Sequence, residues 1–233
     1  MTREPRLEIL FEDDAIVAVN KPPGLPAVPI VKGSDKPSAL SLLTAELKRK
    51  RQKAFVVHRI DRFTSGVLLF AKTQKDRAAL IEQFLSHTPV RQYLAVVRGH
   101  IGKESGTLVH FLRRTGMFQQ VTSVGARNSA KAQLEYSVER FLRGASLVRV
   151  ALVTGLQNQI RVQFSAIGHP VVGDRKYHPT EALEQRIARV ALHAAHLEFI
   201  HPRTGKKIAL HCDIPVDFRS LVRALTPPDQ PKG

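Results

Sequence analysis

Val67-Leu68-Leu69-Phe70-Ala71 is an apolar run whose position limits what this chain can fold into. A run that short, continuous and rich in branched and aromatic residues reads as a buried strand. Directly before it stands His58-Arg59-Ile60-Asp61-Arg62-Phe63-Thr64-Ser65-Gly66. Two arginines bracket one aspartate there, just ahead of the core. Nearby positive charge favours the ionised form of a carboxylate, so the stretch suits a group that must stay charged. The competing reading is a surface ion pair worth little. The stretch alone does not choose.

The rest of the chain sets the class. Leu7 to Phe11 and Ala15 to Asn20 read as a hairpin around Glu12-Asp13-Asp14. Lys21-Pro22-Pro23-Gly24-Leu25-Pro26 must be a stiff loop, because its prolines exclude helix and central strand. An amphipathic helix is expected from Ser38 to Gln52, ending in Lys48-Arg49-Lys50-Arg51. That basic end either offsets the helix dipole or contacts phosphate. Thr73 looks like an N-cap with Asp76 at capping-box distance, and the helix behind it should bury Leu80, Ile81, Phe84 and Leu85. Arg91 to Gly99 reads as a strand. Residues 102–130 read as a mobile basic arm or a hairpin exposing Arg113, Arg114 and Arg127. Lys131 to Phe141 and Ser146 to Val153 alternate as paired strands. A helix follows that carries Ile160, Phe164 and Ile167 on one face and Asn158, Arg161 and Ser165 on another, stopped by Gly168 and Pro170. Glu181 to about Ala188 is a candidate short helix. His193 to Ile200 and Ile208 to His211 read as strands around a turn at 201–205.

Strands outnumber helices, so the class is α+β: a mixed, mainly antiparallel central sheet flanked by helices and loops. The 233 residues suffice for one large domain. We expect a single domain over residues 1–226 and a disordered tail over 227–233.

Charge narrows the partner. There are 36 basic against 20 acidic residues, a formal charge of +16. That points to a polyanion, nucleic acid first and an acidic membrane surface second; a merely soluble basic surface is the bland alternative. The single cysteine, Cys212, rules out an internal disulfide framework and a zinc site built on several thiolates. His193 and His196 would point to opposite faces of a strand, which argues against a metal site. No apolar run approaches the ~20 residues of a membrane helix, and no signal peptide is visible at Met1 to Leu10. A soluble cytoplasmic protein is expected, or an organellar one if a transit peptide has been lost. Phosphate-loop, dinucleotide and nucleophile-elbow motifs are all missing.

The ordered motifs resemble one family, the RluA-type RNA pseudouridine synthases. Residues 58–66 are similar to its His-Arg-Leu-Asp-x-x-Thr-Ser-Gly. Asn20-Lys21-Pro22-Pro23-Gly24 is similar to its Asn-Lys-Pro-x-Gly. Gln92-Tyr93-Leu94-Ala95, Thr154-Gly155 through Gln159-Ile160-Arg161, Gly168-His169-Pro170, Gly173-Asp174-Arg175-Lys176-Tyr177, Leu192-His193-Ala194 and His201-Pro202 match its later segments. The resemblance spans roughly residues 7 to 218, and implies that 1–226 is a single catalytic domain without the separate N-terminal RNA-binding module that some relatives carry.

The resemblance implies an isomerase that detaches a uridine base from its ribose, turns it and rejoins it through C5, with no cofactor and no metal. It makes Asp61 the essential aspartate, Tyr93 the residue that stacks on the target base, and Arg161 the basic partner of the aspartate. Arg59 is implied to fill the space left by the extruded nucleotide. Arg62 and Asn158 are further substrate-binding candidates, Arg62 being open between RNA contact and plain surface charge. The expected partner is structured RNA, ribosomal or transfer, and the expected state a monomer. A uridine inside a stem must be flipped out, at a cost of a few kcal/mol, which suits an aromatic platform and a basic surface. Two other readings are a non-catalytic RNA-binding protein of the same fold, and a glycosidase, for which only Asp174 offers a second carboxylate. The departures are Leu156 and Asn158, where the family has the arginine and histidine of Arg-x-His, the lysine expected before Tyr93, replaced by Arg91 or Gln92, and Ile60 for leucine.

Overall fold

The computed structural model describes residues 7–31, 36–116, 118–177, 183 and 186–228. They form two compact units, each assembled from separated stretches of chain: Met1–Arg91 with His193–Asp213, and Gln92–Leu192 with Ile214–Gly233.

In the first unit β1 (Glu8–Glu12) and β2 (Ile16–Lys21) form the expected hairpin. The Asp13 carboxylate closes it by accepting the N–H groups of Ala15 and Ile16 at 2.8 and 2.9 Å, the local bonding that makes aspartate a turn residue. β2 runs antiparallel to β4 (Ser65–Ala71). The other edge of β4 takes β3 (Phe55–Val56) at one end and β10 (Leu192–Ile200), in parallel, at the other. β11 (Lys207–His211) pairs antiparallel with β10.

Every residue of β4 is buried. Val67, Leu69 and Ala71 pack with Leu80 of α2 (Gln74–Leu85). Leu68 and Phe70 pack with Ala39, Leu43 and Leu47 of α1 (Ala39–Arg49). Alternate side chains therefore enter two cores on opposite faces, which is why the run is continuously apolar rather than alternating.

Both helices start where the sequence predicts. Ser38 and Ser41 form a reciprocal capping box on α1. Thr73 caps α2 through the Asp76 N–H. Leu85 departs from expectation: it is 74% exposed. It lies five residues beyond Leu80, about 140° around the helix from the buried stripe.

In the second unit, β5 (Val90–Arg98), β9 (Ala145–Leu152), β8 (Ser129–Leu142), β6 (Ser105–Thr115) and β7 (Phe118–Thr122) are antiparallel neighbours in that order. Of the two forms the sequence allows for 102–130, the hairpin is the one present, and Arg113, Arg114 and Arg127 are exposed as expected. One face of this hairpin carries Leu112, which packs with Ala132 and Val162 of α3 (Gln159–Ala166). α4 (Val216–Leu225) buries Phe218, Leu221 and Leu225 and is tied down by Asp217, which accepts Arg189 Nε and Nη2 at 2.6 and 2.9 Å.

The class is the predicted one, α+β with mainly antiparallel strands, and β4 and β10 pair in parallel. Half of the candidate helix at 181–188 (residues 181, 182, 184 and 185) and the tail from 229 onward lie outside the described residues. No helix among the described residues is long and apolar enough to cross a membrane.

Candidate active site

The motif at 58–66 leads into the N-terminal end of β4, and its residues divide into anchors and presented groups. His58 is an anchor. Its Nε2 accepts the Leu69 N–H at 3.1 Å, and its ring stacks on Phe84 at 4.6 Å between centroids. Burial, then the charge of Arg91, pushes its imidazole down to about 3. It is therefore neutral at physiological pH, with the proton on Nδ1. Ile60 is buried, while Arg59 and Arg62 are exposed. Asp61 is half-buried, and its carbonyl accepts the Thr64 N–H at 3.1 Å.

Ser65 and Gly66 fasten the motif to β10. Ser65 Oγ and His193 Nδ1 are 2.9 Å apart, and His193 Nε2 lies 3.0 Å from the Cys212 carbonyl. A carbonyl only accepts, so Nε2 carries the proton and the serine hydroxyl donates to Nδ1. Gly66 sits at φ +112°, where a Cβ would come within 2.1 Å of the Ala194 carbonyl oxygen. Only glycine permits that approach.

The Pro-rich loop clamps the same motif from the other side. Lys21 is fully buried, and its Nζ donates to the carbonyls of Pro22, Leu25 and Arg62 at 2.8, 2.8 and 3.1 Å. A buried ammonium is tolerated when hydrogen-bonded in this way. A lysine beside prolines carries no pattern from which this could be read.

Tyr93 and Arg161 belong to the second unit. Tyr93 lies on β5 opposite Val150 and is 9% exposed. Arg161, a residue type usually on the surface, is buried. Its Nε and Nη2 each donate to the Asp174 carboxylate at 2.7 Å, and its Nη1 donates to Asn158 Oδ1 at 2.9 Å. The guanidinium also lies 5.2 Å from the Tyr177 ring centroid. Asp174 Oδ1 takes the backbone N–H groups of Lys176 and Tyr177 as well. Thus the carboxylate that a glycosidase would need is committed to anchoring Arg161.

Asn158 and Arg161 are brought into direct contact. Asn158 adopts left-handed backbone, φ +54°, which asparagine tolerates better than most residues. Its amide bridges Arg161 and the Tyr177 hydroxyl, donating to the latter at 3.1 Å. Tyr177 was not singled out by spacing; the Gly-Asp-x-x-Tyr pattern was the available signal. Leu156, another departure, is half-buried against the cluster of Leu112, Ala132 and Val162.

His193 is fully buried, and His196 faces the ring of His211 at 4.4 Å between centroids. No cluster of three metal-ligating side chains occurs among the described residues. Cys212 is buried, and its thiol is pushed up to about 12 by desolvation and then by Glu8 and Asp213.

The sequence model of RNA pseudouridylate synthases matches residues 15–166, which takes in the motif loop, β4, β5 and α3. The chain is 36% identical over 230 residues to the ribosomal large subunit pseudouridine synthase D of Zymomonas mobilis, covering 94% of this chain and 73% of that one. It is 34% identical over 226 residues to the dual-specificity RNA pseudouridine synthase RluA of Vibrio vulnificus, covering 94% and 88%. Its fold is that of a solved human protein, RNA Pseudouridylate Synthase Domain Containing 4, with a TM-score of 0.78 at 23% identity over 93% of both chains. Matches of this extent, across the segments that carry Asp61, Tyr93 and Arg161, leave one assignment: the chain belongs to the RNA pseudouridylate synthase family.

Proposed function

We propose that this protein converts specific uridines of structured RNA, ribosomal or transfer, to pseudouridine, without cofactor or metal. The observation that carries the reading is the family match across residues 15–166, which includes an aspartate presented at a turn ahead of a fully buried strand. Relatives named for ribosomal and transfer RNA both occur among the matches. The formal charge of +16 suits a polyanionic substrate.

In this proposal Asp61 supplies the carboxylate that acts on the nucleoside. Tyr93 stacks on the extruded base, and Arg161 is the basic partner of the aspartate. Arg59, Arg62 and Asn158 handle the substrate, Asn158 by holding Arg161. The reaction is an isomerisation: the N1–C1′ bond breaks, the C5–C1′ bond forms, and the C5 proton is lost to a base while N1 regains one. Base extrusion supplies access. We further propose that residues 1–226 work as one catalytic domain, as a monomer, in the cytoplasm.

The test is pseudouridine mapping of total RNA from cells with and without the gene. A site that disappears on deletion should return with the wild-type chain and stay absent with Asp61→Asn, whose RNA affinity should be largely kept. Normal modification by Asp61→Asn would refute the assignment. RNA binding with no site lost on deletion would favour a non-catalytic role.

A further inference from the structure

Beside Asp61, two side chains stand exposed on a braced support. The Thr64 N–H bond to the Asp61 carbonyl closes a turn with Arg62 and Phe63 at its corners. Neither corner has positive φ, so the turn needs no glycine. It is clamped from outside by the Pro-rich loop. The Arg62 carbonyl accepts from the Gly24 N–H at 2.9 Å and from Lys21 Nζ at 3.1 Å, and Arg62 Nε donates back to the Gly24 carbonyl at 2.8 Å. Pro22 and Pro23 stiffen the clamp.

Phe63 is 44% exposed, and the Arg62 guanidinium lies over its ring, 5.3 Å from the centroid. Among the described residues, the terminal nitrogens of Arg62 have no hydrogen-bond partner. A single exposed apolar residue is ordinary. An exposed aromatic ring capped by a cation, on a braced turn adjoining the proposed catalytic carboxylate, is a different object.

We propose that Arg62 and Phe63 form a nucleotide platform: an RNA base flanking the target uridine stacks on the Phe63–Arg62 pair while the terminal nitrogens of Arg62 meet a backbone phosphate. This rests on the reading of the chain as an RNA-modifying enzyme. Stacking on an aromatic ring beside a cation is how proteins hold unpaired nucleotides with little regard to sequence. Extruding a uridine leaves its neighbours without a stacking partner, and this tip supplies one next to Asp61. On this proposal Arg62 contacts RNA rather than being a plain surface charge.

The test is binding of a twelve-nucleotide oligouridylate across a salt series, with pseudouridine formation in RNA from gene-deleted cells followed in parallel. Phe63→Ala should weaken binding by about five- to a hundredfold and leave the salt slope unchanged, because stacking releases no counterions. Phe63→Trp should recover the affinity, which also shows that the turn still folds. Arg62→Ala should lower the salt slope by about 0.7. Binding by Phe63→Ala within about twofold of wild type, well short of one stacking contact, would overturn the platform, as would failure of Phe63→Trp to recover. Pseudouridine formation combined with Phe63-independent binding would refute the platform and leave the isomerase reading. Phe63-dependent binding without pseudouridine formation would do the reverse.

Discussion

Arg161 grips Asp174 through two parallel hydrogen bonds of 2.7 Å, with both side chains almost withdrawn from water. Breaking such a pair leaves an uncompensated buried charge, which costs about 3–5 kcal/mol. Asp174→Asn should therefore lower the unfolding free energy from urea titration by an amount of that order, with a lower midpoint, and it should also impair turnover by releasing Arg161. The exposed pair Lys207–Glu198 is the contrast: Glu198→Gln should leave the midpoint where it was. Equal effects from the two variants would show that burial of the Arg161 pair is not what matters.

Gly66 and Gly24 separate two costs. Both have positive φ, but a Cβ at Gly66 would meet the Ala194 backbone at 2.1 Å, while one at Gly24 would meet nothing within 4 Å. Gly24→Ala should lose only the left-handed backbone term, about 1–2 kcal/mol. Gly66→Ala should lose more than about 4 kcal/mol or yield no folded protein. Urea titration of the two variants decides; similar midpoints would mean that β4 and β10 can move apart at little cost.

His58 gives a pH dependence of known sign. Its folded value, about 3, lies below the 6.5 of the free imidazole. The stability it contributes is complete above about pH 6.5 and is lost as pH falls from there toward 3, because the unfolded chain takes the proton first. The slope is at most about 1.4 kcal/mol per pH unit, a ceiling because the residue is only partly covered. His58→Gln keeps an acceptor for the Leu69 N–H but cannot titrate. Its stability should fall less steeply than wild type between pH 6.5 and 4. Parallel curves would remove His58 from the acid response.

Cys212 should be chemically silent. A buried thiol pushed up to about 12 offers almost no thiolate at neutral pH. Native protein should resist a thiol-specific reagent at pH 8 and react fully once unfolded in urea. Rapid labelling of the native form would mean that the end of β11 opens readily.

What the sequence disclosed was mostly local. The apolar run of β4, the Ser38 and Thr73 caps and the hairpin at Asp13 depend on neighbours a few residues away, and periodicity reports those. Leu85 was misread because apolar character alone does not say where a helix face ends. Lys21 was invisible as a buried group, since its partners are backbone carbonyls that every sequence contains. The Arg161–Asp174 pair lies across a loop whose path only tertiary packing sets. The motif loop was legible through its resemblance to a family, whereas its bracing by Gly24, Lys21 and His193 was not.

Ser65 and His193, in contact at 2.9 Å, are separated by 128 positions in the chain. On a ribosome the loop bearing Asp61 remains without its β10 support until the 128 residues from Ser65 to His193 have been added. No nascent fragment ending before His193 contains the strand that fixes it. Non-local closure of this kind is slow to form, and it defers a braced Asp61 loop until synthesis has passed His193.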